Sequence, residues 1–335
     1  MLSVPRLRRL IEQRDTLRQE HDQLVNQRDT LQEERDRLTA DLKVQSSPFV
    51  HYNAVFDPQE VVRRYAVPNV QGIPGYLTNF LGVRVDPKFV PAQLEGRGGE
   101  VEGIPIPANW HADVAEWGAA LRAVDLAKNS FTVVELGCGW GCWMINTGVA
   151  ARATGLDVHL IGVEGDAGHL QFAIEAWRVN GFAPRQVTLH RGIAASSSGV
   201  ALFPRYPTAG EHWGLAAIYN ATDEQRRDLV ASGSHDELSM IPLEDIIGDR
   251  VDLLHIDIQG GETDFIAGSL DVMNAKVAYL VVGTHSRQIE GRIMDTLVAA
   301  EWKLEIERPA ILSLAGDAPL VTVDGVQGWR NPRLV

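Results

Sequence analysis

The sequence predicts an α/β fold, a mostly parallel sheet with helices on both faces, preceded by an α-helical coiled coil. Three observations carry this reading. A strand, a glycine loop and a helix follow one another over residues 131–153. Apolar runs of strand length then alternate with helical patterns almost to the C-terminus. Near the N-terminus, leucine returns at every seventh position from Leu10 to Leu38.

The N-terminal segment is considered first. Leu10, Leu17, Leu24, Leu31 and Leu38 occupy one heptad position, and Gln-Arg-Asp-Thr-Leu occurs at 13–17 and again at 27–31. With those leucines at d, the a positions are Leu7, Arg14, His21, Arg28, Arg35 and Leu42. Arginine at a weakens the seam but is tolerated in a dimer, where its stem covers apolar surface and its head reaches water. The segment therefore reads as a helix about 50 Å long that makes a homodimer. A coiled coil over 1–45, an irregular Pro- and Gly-rich extension over 46–107 and a catalytic α/β domain over 108–335 are the expected parts. The extension carries one predicted helix near Pro58–Tyr65.

Charge restricts the partners. The net charge is −13, yet residues 1–43 hold nine basic and nine acidic groups and are neutral. The acidic surplus lies wholly in the remaining body, which argues against a nucleic-acid backbone as the main partner. The two cysteines, Cys138 and Cys142, both lie at the glycine loop. They form neither a disulfide framework nor a zinc site, and two reduced thiols fit a cytoplasmic protein. No signal-type apolar core and no run of membrane-span length is present.

Pro105 and Pro107 lead into Asn109-Trp110-His111, with Asn109 the expected cap of a helix reaching about Lys128. The chain then enters Phe131–Gly141. Its apolar residues read as a buried strand, and Gly137, Gly139 and Gly141 allow a sharp turn and close approach of a ligand to backbone amides. Dinucleotide folds favour G-x-G-x-x-G, whereas this is G-x-G-x-G preceded by Glu135. That form suits S-adenosylmethionine: a carboxylate faces its ammonium, and amides at the N-terminus of the following helix, Cys142–Ala153, face its carboxylate.

The next strands are Val158–Val163, ending in Glu164, and Val187–Arg191, ending near Ile193. Glu164 stands where an acid holds ribose hydroxyls, and Ile193 where backbone amides meet an adenine edge. The stretch 196–240 is expected to be an irregular lid or binding insertion. Further strands are Val251–Ile258 and Val277–Val282, a helix covers 289–300, and Lys303–Glu307 and Leu320–Val323 close the sheet. His255, Asp257 and Gln259 point to one side of their strand. Asp257 and His285, at neighbouring strand ends, are the candidates to orient and deprotonate an acceptor hydroxyl. Trp110, His111 and Gln259 are the candidate substrate contacts. Asp257, Glu262 and His285 can ligate a divalent cation, which their spacing permits but does not require, so no metal is assigned.

The runs Val-Val-Glu-Leu-Gly-Cys-Gly-Trp-Gly, Gly-Val-Glu-Gly-Asp and Val-Asp-Leu-Leu-His-Ile-Asp-Ile-Gln-Gly-Gly-Glu resemble, in that order, the FkbM-type methyltransferases. The resemblance spans roughly Ala108–Arg308. At the third motif the family commonly reads I-D-x-x-K-I-D-x-E-G-x-E, and this chain carries His255 and Gln259 at the lysine and first glutamate. The resemblance implies a class I, Rossmann-like domain that methylates a hydroxyl of a saccharide or secondary metabolite with S-adenosylmethionine. It also implies that Glu135, Gly137, Gly139 and Gly141 hold the methionine end, Glu164 the ribose, and that Asp257 lies at the transfer site. N-methylation, a nicotinamide-dependent oxidoreductase and a non-catalytic coiled-coil scaffold are the competing readings.

Overall fold

A computed structural model describes residues 4–45, 47–316 and 318–335. The chain divides into two compact units, residues 1–50 and 51–335. The first is a single helix, α1 (Val4–Gln45), followed by a short turn at Pro48–Val50. The helix spans the whole heptad pattern. Leu17, Leu24, Leu31 and Leu38 are each 60–64% exposed, so one chain leaves that row uncovered. The arginines at two a positions fold onto the next residue, Arg28 onto Asp29 and Arg35 onto Asp36, each at 2.6 Å. The side chains of Leu7, Leu10 and Leu42 lie outside the described ones.

The second unit is built on an eight-stranded sheet. Its main strands are β1 (Ser130–Leu136), β2 (Asp157–Glu164), β3 (Val187–Arg191), β4 (Val251–Ile256), β5 (Val277–Thr284), β6 (Lys303–Arg308) and β7 (Gly325–Arg330). Their spatial order is β3-β2-β1-β4-β5-β7-β6, with Asn53–Ala54 paired on the outer edge of β6. From β3 to β5 the pairing is parallel throughout. β7 runs antiparallel to both β5 and β6. This is a doubly wound sheet with one reversed strand inserted near its edge, the Rossmann-like class expected.

Apart from a single turn at Pro91–Leu94, the helices are α2 (Pro58–Tyr65), α3 (Val114–Leu126), α4 (Cys142–Ala153), α5 (Ala167–Val179), α6 (Asp223–Ala231), α7 (Glu262–Gly268), α8 (Leu270–Lys276) and α9 (Arg287–Ala299). Alternate residues along each strand feed two cores. Phe131, Val133, Leu253, Tyr279 and Val281 enter one with α3 and α4, and Val134, Leu136, Leu254, Ile256 and Leu280 enter the other with α7 and α9. This is the two-residue period of a strand read out on both faces, which is why these segments are apolar without a polar side. The extension packs into the first core: Val62, Leu77, Val83 and Leu94 are fully buried.

Four expectations change. The 196–240 stretch is not irregular: Gly199–Pro204 pairs with His235–Ile241, Ile193–Ala194 joins them, and α6 lies between. The inner closing strand is β7, because Leu320–Val323 instead forms a hairpin with Ile311–Ser313. β4 stops at Ile256, leaving Asp257 and Ile258 in the following loop. α3 begins at Val114, with Asp113 accepting from the amides of Ala115 and Glu116. Asn109 accepts from His111 and Ala112 one turn earlier, so Trp110 and His111 lie on a loop. Asp113 is held in place by the buried guanidinium of Arg308 on β6.

Candidate active site

The strand order reverses between β1 and β4, and the loops leaving these two strands meet. In open α/β sheets this is where ligands bind. The amide of Asp257 donates to Leu136 O at 3.1 Å. Gly137, at φ +74°, lies so close that a Cβ there would stand 1.9 Å from the carbonyl oxygen of Asp257. Only glycine accommodates both the left-handed backbone and that approach. Gly139, at φ +53°, lies beneath the indole of Trp213, 2.6 Å from where its Cβ would be. Gly141 is the N-terminal residue bounding α4.

Two carboxylates fix this loop. Glu135 accepts from the amides of Trp143 at 3.0 Å and Met144 at 2.9 Å, one on each oxygen. The first amides of α4 are thereby occupied by the chain itself. Burial pushes the Glu135 carboxyl up to about 7 against the pull of nearby His255 and those two amides. Glu164, closing β2, accepts from Gly139 N at 2.8 Å and Asp166 N at 2.7 Å. Burial raises it too to about 7, although both amides favour its charge. Each acid stands near the midpoint of its titration at neutral pH.

A cavity of about 520 Å³ opens over these loops, with Gly137, Gly139, Glu164, Ile193, Tyr219 and Asp257 in its wall. Beside it lies a smaller one of about 250 Å³, walled by Trp110, Trp140, Trp143, Glu135 and His255. Gly137, Gly139, His111, Trp213 and Asp257 border both. Trp213 comes from the insertion and is stacked on His169, centroids 3.9 Å apart and planes 4° from parallel. The insertion therefore roofs the glycine loop. Gln259 lines the larger cavity and a further one of about 360 Å³ beyond Tyr219.

Of the residues singled out in the sequence, Gly137, Gly139, Glu164, Ile193, His111, Asp257 and Gln259 line the larger cavity. Glu135 and Trp110 line the smaller. Gly141 and His285 line neither. His285 stands behind Asp257, its Nε2 3.2 Å from Asp257 Oδ1. Its Nδ1 is 3.1 Å from Glu262 Oε1, out of line for a hydrogen bond. Burial alone would lower this imidazole, but Asp257 and Glu262 outweigh it and carry it up to about 10. It holds a proton at neutral pH and has no free base to offer in this arrangement. Asp257 also takes a hydrogen bond from Gln259 Nε2 at 2.9 Å. Burial opposes its charge, yet His285, His255 and Gln259 together keep it below the usual carboxylate range.

His111 is the opposite case. Burial, then the neighbouring His255, lowers it to about 4 despite Asp257, and its Nε2 is buried without a partner. His255 lies against Trp143, and its Nε2 is 3.3 Å from Glu116 Oε1. Sequence reasoning missed Trp140, Trp143, Glu116 and Asp324 as site residues. Trp140 lies within the glycine loop and Trp143 just after it, and both could have been read from that alone; Glu116 and Asp324 carry no local signal.

No protein-family model matches the chain. A relative from Jannaschia sp. (strain CCS1), described as "Putative methyltransferase", is 43% identical over 274 residues, covering 82% of this chain and 98% of the relative. Among solved structures, the methyltransferase FkbM of Methylobacillus flagellatus KT aligns with 64% of this chain at 13% identity and a TM-score of 0.39. The match spans 54% of that protein's length. Precorrin-6y C5,15-methyltransferase of Geobacter metallireducens GS-15 aligns with 63% of this chain and 86% of its own, at 11% identity and a TM-score of 0.34.

Proposed function

This chain belongs to the methyltransferase family, and from that premise we propose that it carries a methyl group from S-adenosylmethionine to a hydroxyl of a saccharide or similar metabolite, in the manner of FkbM-type enzymes. The observation that carries this reading is the convergence of the glycine loop, Glu164 and Ile193 on one cavity that also exposes Asp257. A volume of about 520 Å³ falls within the about 300–1,000 Å³ of sites that bury a ligand of cofactor size. The donor set fits as well. Glu164 retains acceptor capacity for a ribose diol beyond its two amides, and Ile193 lies on the adenine side. Tryptophan faces together with Glu135 and Asp257 favour a cation, which suits a sulfonium and an α-ammonium.

The cofactor supplies an electrophilic methyl group, so the protein's task is chiefly placement. Trp110, His111 and Trp213 exclude water from the two cavities. Asp257, kept ionised and oriented by Gln259 and His285, accepts the hydrogen bond of the acceptor hydroxyl and takes its proton as the new C–O bond forms. His285 acts through Asp257 and does not itself accept the proton. Residues 1–45 pair with a second copy through the exposed leucine row.

Calorimetric titration with S-adenosylmethionine and, separately, with NAD tests the cofactor. Binding of the first alone is expected, and preference for NAD would replace the reading with an oxidoreductase. Transfer of label from methyl-labelled cofactor to small molecules of a cell extract, lost in Asp257→Asn, tests the reaction. Tight cofactor binding with no transfer to any acceptor would point to a ligand-binding scaffold.

A further inference from the structure

We propose that Asp257 and His285, with Asp324 beside them, form a divalent-cation site at the edge of the larger cavity. The open positions of the ion would take two neighbouring oxygens of the methyl acceptor. The ion site stands on its own geometry; the acceptor's part in it rests on the methyl-transfer reading.

His285 Nε2 lies 3.2 Å from Asp257 Oδ1 and 3.9 Å from Asp324 Oδ2. Ligand atoms bonded to one ion at about 2.1 Å stand about 3.0–3.4 Å apart at right or tetrahedral angles. The first spacing already fits. Asp324 stands outside the group of Asp257, Glu262 and His285 whose ligand atoms come within 4.8 Å of one another, and its side chain, more than half exposed, would swing inward to complete the set. Asp257 and Asp324 both line the larger cavity, so an ion between them would have ligand positions open to the acceptor. Gln259 Nε2 and His285 Nε2 both meet Asp257 at Oδ1, which leaves Oδ2 without a protein partner among the described residues.

The sequence offered Glu262 as a possible third ligand without assigning a metal, and its surroundings in the structure argue against that role. Glu262 is wholly buried, and its oxygens are taken by the amides of Ile258 at 3.1 Å and Gly260 at 3.0–3.1 Å. It faces the other ring nitrogen of His285, 3.1 Å from Nδ1. A carboxylate that accepts from the second ring nitrogen is the usual support for a metal-binding histidine. Glu262 is near enough to give it once the ring turns into line, since Nδ1 has no hydrogen-bond partner as it stands. The set is thus two carboxylates and one imidazole, with a third carboxylate behind the ring. One nitrogen among oxygen ligands suits Mn²⁺ and related divalent ions. Two carboxylates and a neutral imidazole leave the ion a net charge near zero, so it would bind neutral vicinal hydroxyls or a hydroxy-ketone.

The competing account is that a proton alone satisfies His285 between its carboxylates. Chelator-treated full-length protein, without cofactor, titrated with Mn²⁺ by calorimetry and by electron paramagnetic resonance separates the two. One saturable ion per chain is expected, weakened at least about tenfold in Asp257→Asn and in His285→Ala, and about tenfold in Glu262→Gln. No saturable binding of Mn²⁺, Mg²⁺ or Zn²⁺ up to about 1 mM, or binding that both Asp257→Asn and His285→Ala leave unchanged, would overturn the site. Melting curves of each variant guard against misfolding, and the resonance signal of the unmodified protein decides the matter if a variant fails to fold. S-adenosylhomocysteine titrated into the same metal-free sample tests the methyltransferase reading separately. Cofactor binding without ion binding removes only the cation.

Discussion

Replacing Glu164 with glutamine separates a ligand-binding acid from a merely structural one, because the two roles predict opposite signs. In the ligand-free protein, burial lifts this carboxyl from its ordinary 4.5 to about 7. A folded-state value above the unfolded one means that the stabilisation is complete below about pH 4.5 and is lost as pH rises toward 7. Above pH 7 the charge costs on the order of 3 kcal/mol. Glutamine removes that cost but forfeits one of the two acceptors serving Gly139 and Asp166, worth about 1–3 kcal/mol. At pH 8 the unliganded variant should therefore melt within a few degrees of the parent or above it. Cofactor binding should move the other way. If the ionised carboxylate receives the ribose hydroxyls, the dissociation constant of S-adenosylhomocysteine should rise about tenfold from pH 8 to pH 6. Loss of the charge-assisted bonds in the variant should weaken binding by about 10–150-fold at pH 8. Calorimetry at half-unit intervals of pH, on parent and variant, measures both. Parallel pH profiles with equal affinity would refute the ribose assignment, and a large fall in melting temperature with unchanged affinity would make Glu164 a loop anchor only.

Gly137→Ala should destabilise the domain by about 2–4 kcal/mol in denaturant unfolding, from the left-handed backbone plus the 1.9 Å approach to Asp257 O. A loss below about 0.5 kcal/mol would mean that the β1 and β4 loops separate easily. Trp213→Ala should merge the two cavities and weaken S-adenosylhomocysteine binding about tenfold, with less than about 1.5 kcal/mol lost in stability, since the indole is part-exposed; unchanged affinity would free the insertion from the cofactor. Leu24→Lys with Leu31→Lys should halve the mass seen by light scattering while leaving cofactor affinity intact. An unchanged mass would exclude the leucine row as the dimer seam.

How far the sequence foretold the molecule depended on whether a signal was local. β1, β4 and β5 are apolar on both faces and could be read directly. β7 could not, because Gly325, Gln327 and Gly328 dilute its pattern. Yet those glycines are the reason it fits: a Cβ on Gly328 would stand 2.6 Å from Ile306 on β6 and 3.0 Å from the Tyr279 hydroxyl on β5. The start of α3 was displaced because Asn109 and Asp113 are both capping residues four positions apart. What separates them is Arg308, almost 200 residues away in sequence, which holds Asp113 in the cap position.

The same distinction runs through the site. Asp257 and His285 could be paired in advance because β4 and β5 are sequential and parallel, which sets their ends side by side. Asp324 could not, since it reaches His285 only through the reversed strand β7. Glu135 makes the sharper point. An acid one strand residue before a glycine loop is equally suited to a ligand's ammonium and to the open amides of the next helix, and residue type alone does not choose. Its two oxygens on Trp143 and Met144 make it first a helix anchor. The amides of Gly137, Cys138, Gly139 and Gly141 are likewise taken by the chain itself, so the loop offers a ligand none of these four donors. By the balance that holds for Glu164, Glu135→Gln should shift the melting temperature by only a few degrees at pH 8. Unlike Glu164→Gln it should leave cofactor affinity within about threefold, and a loss of about tenfold or more would restore Glu135 to the ligand.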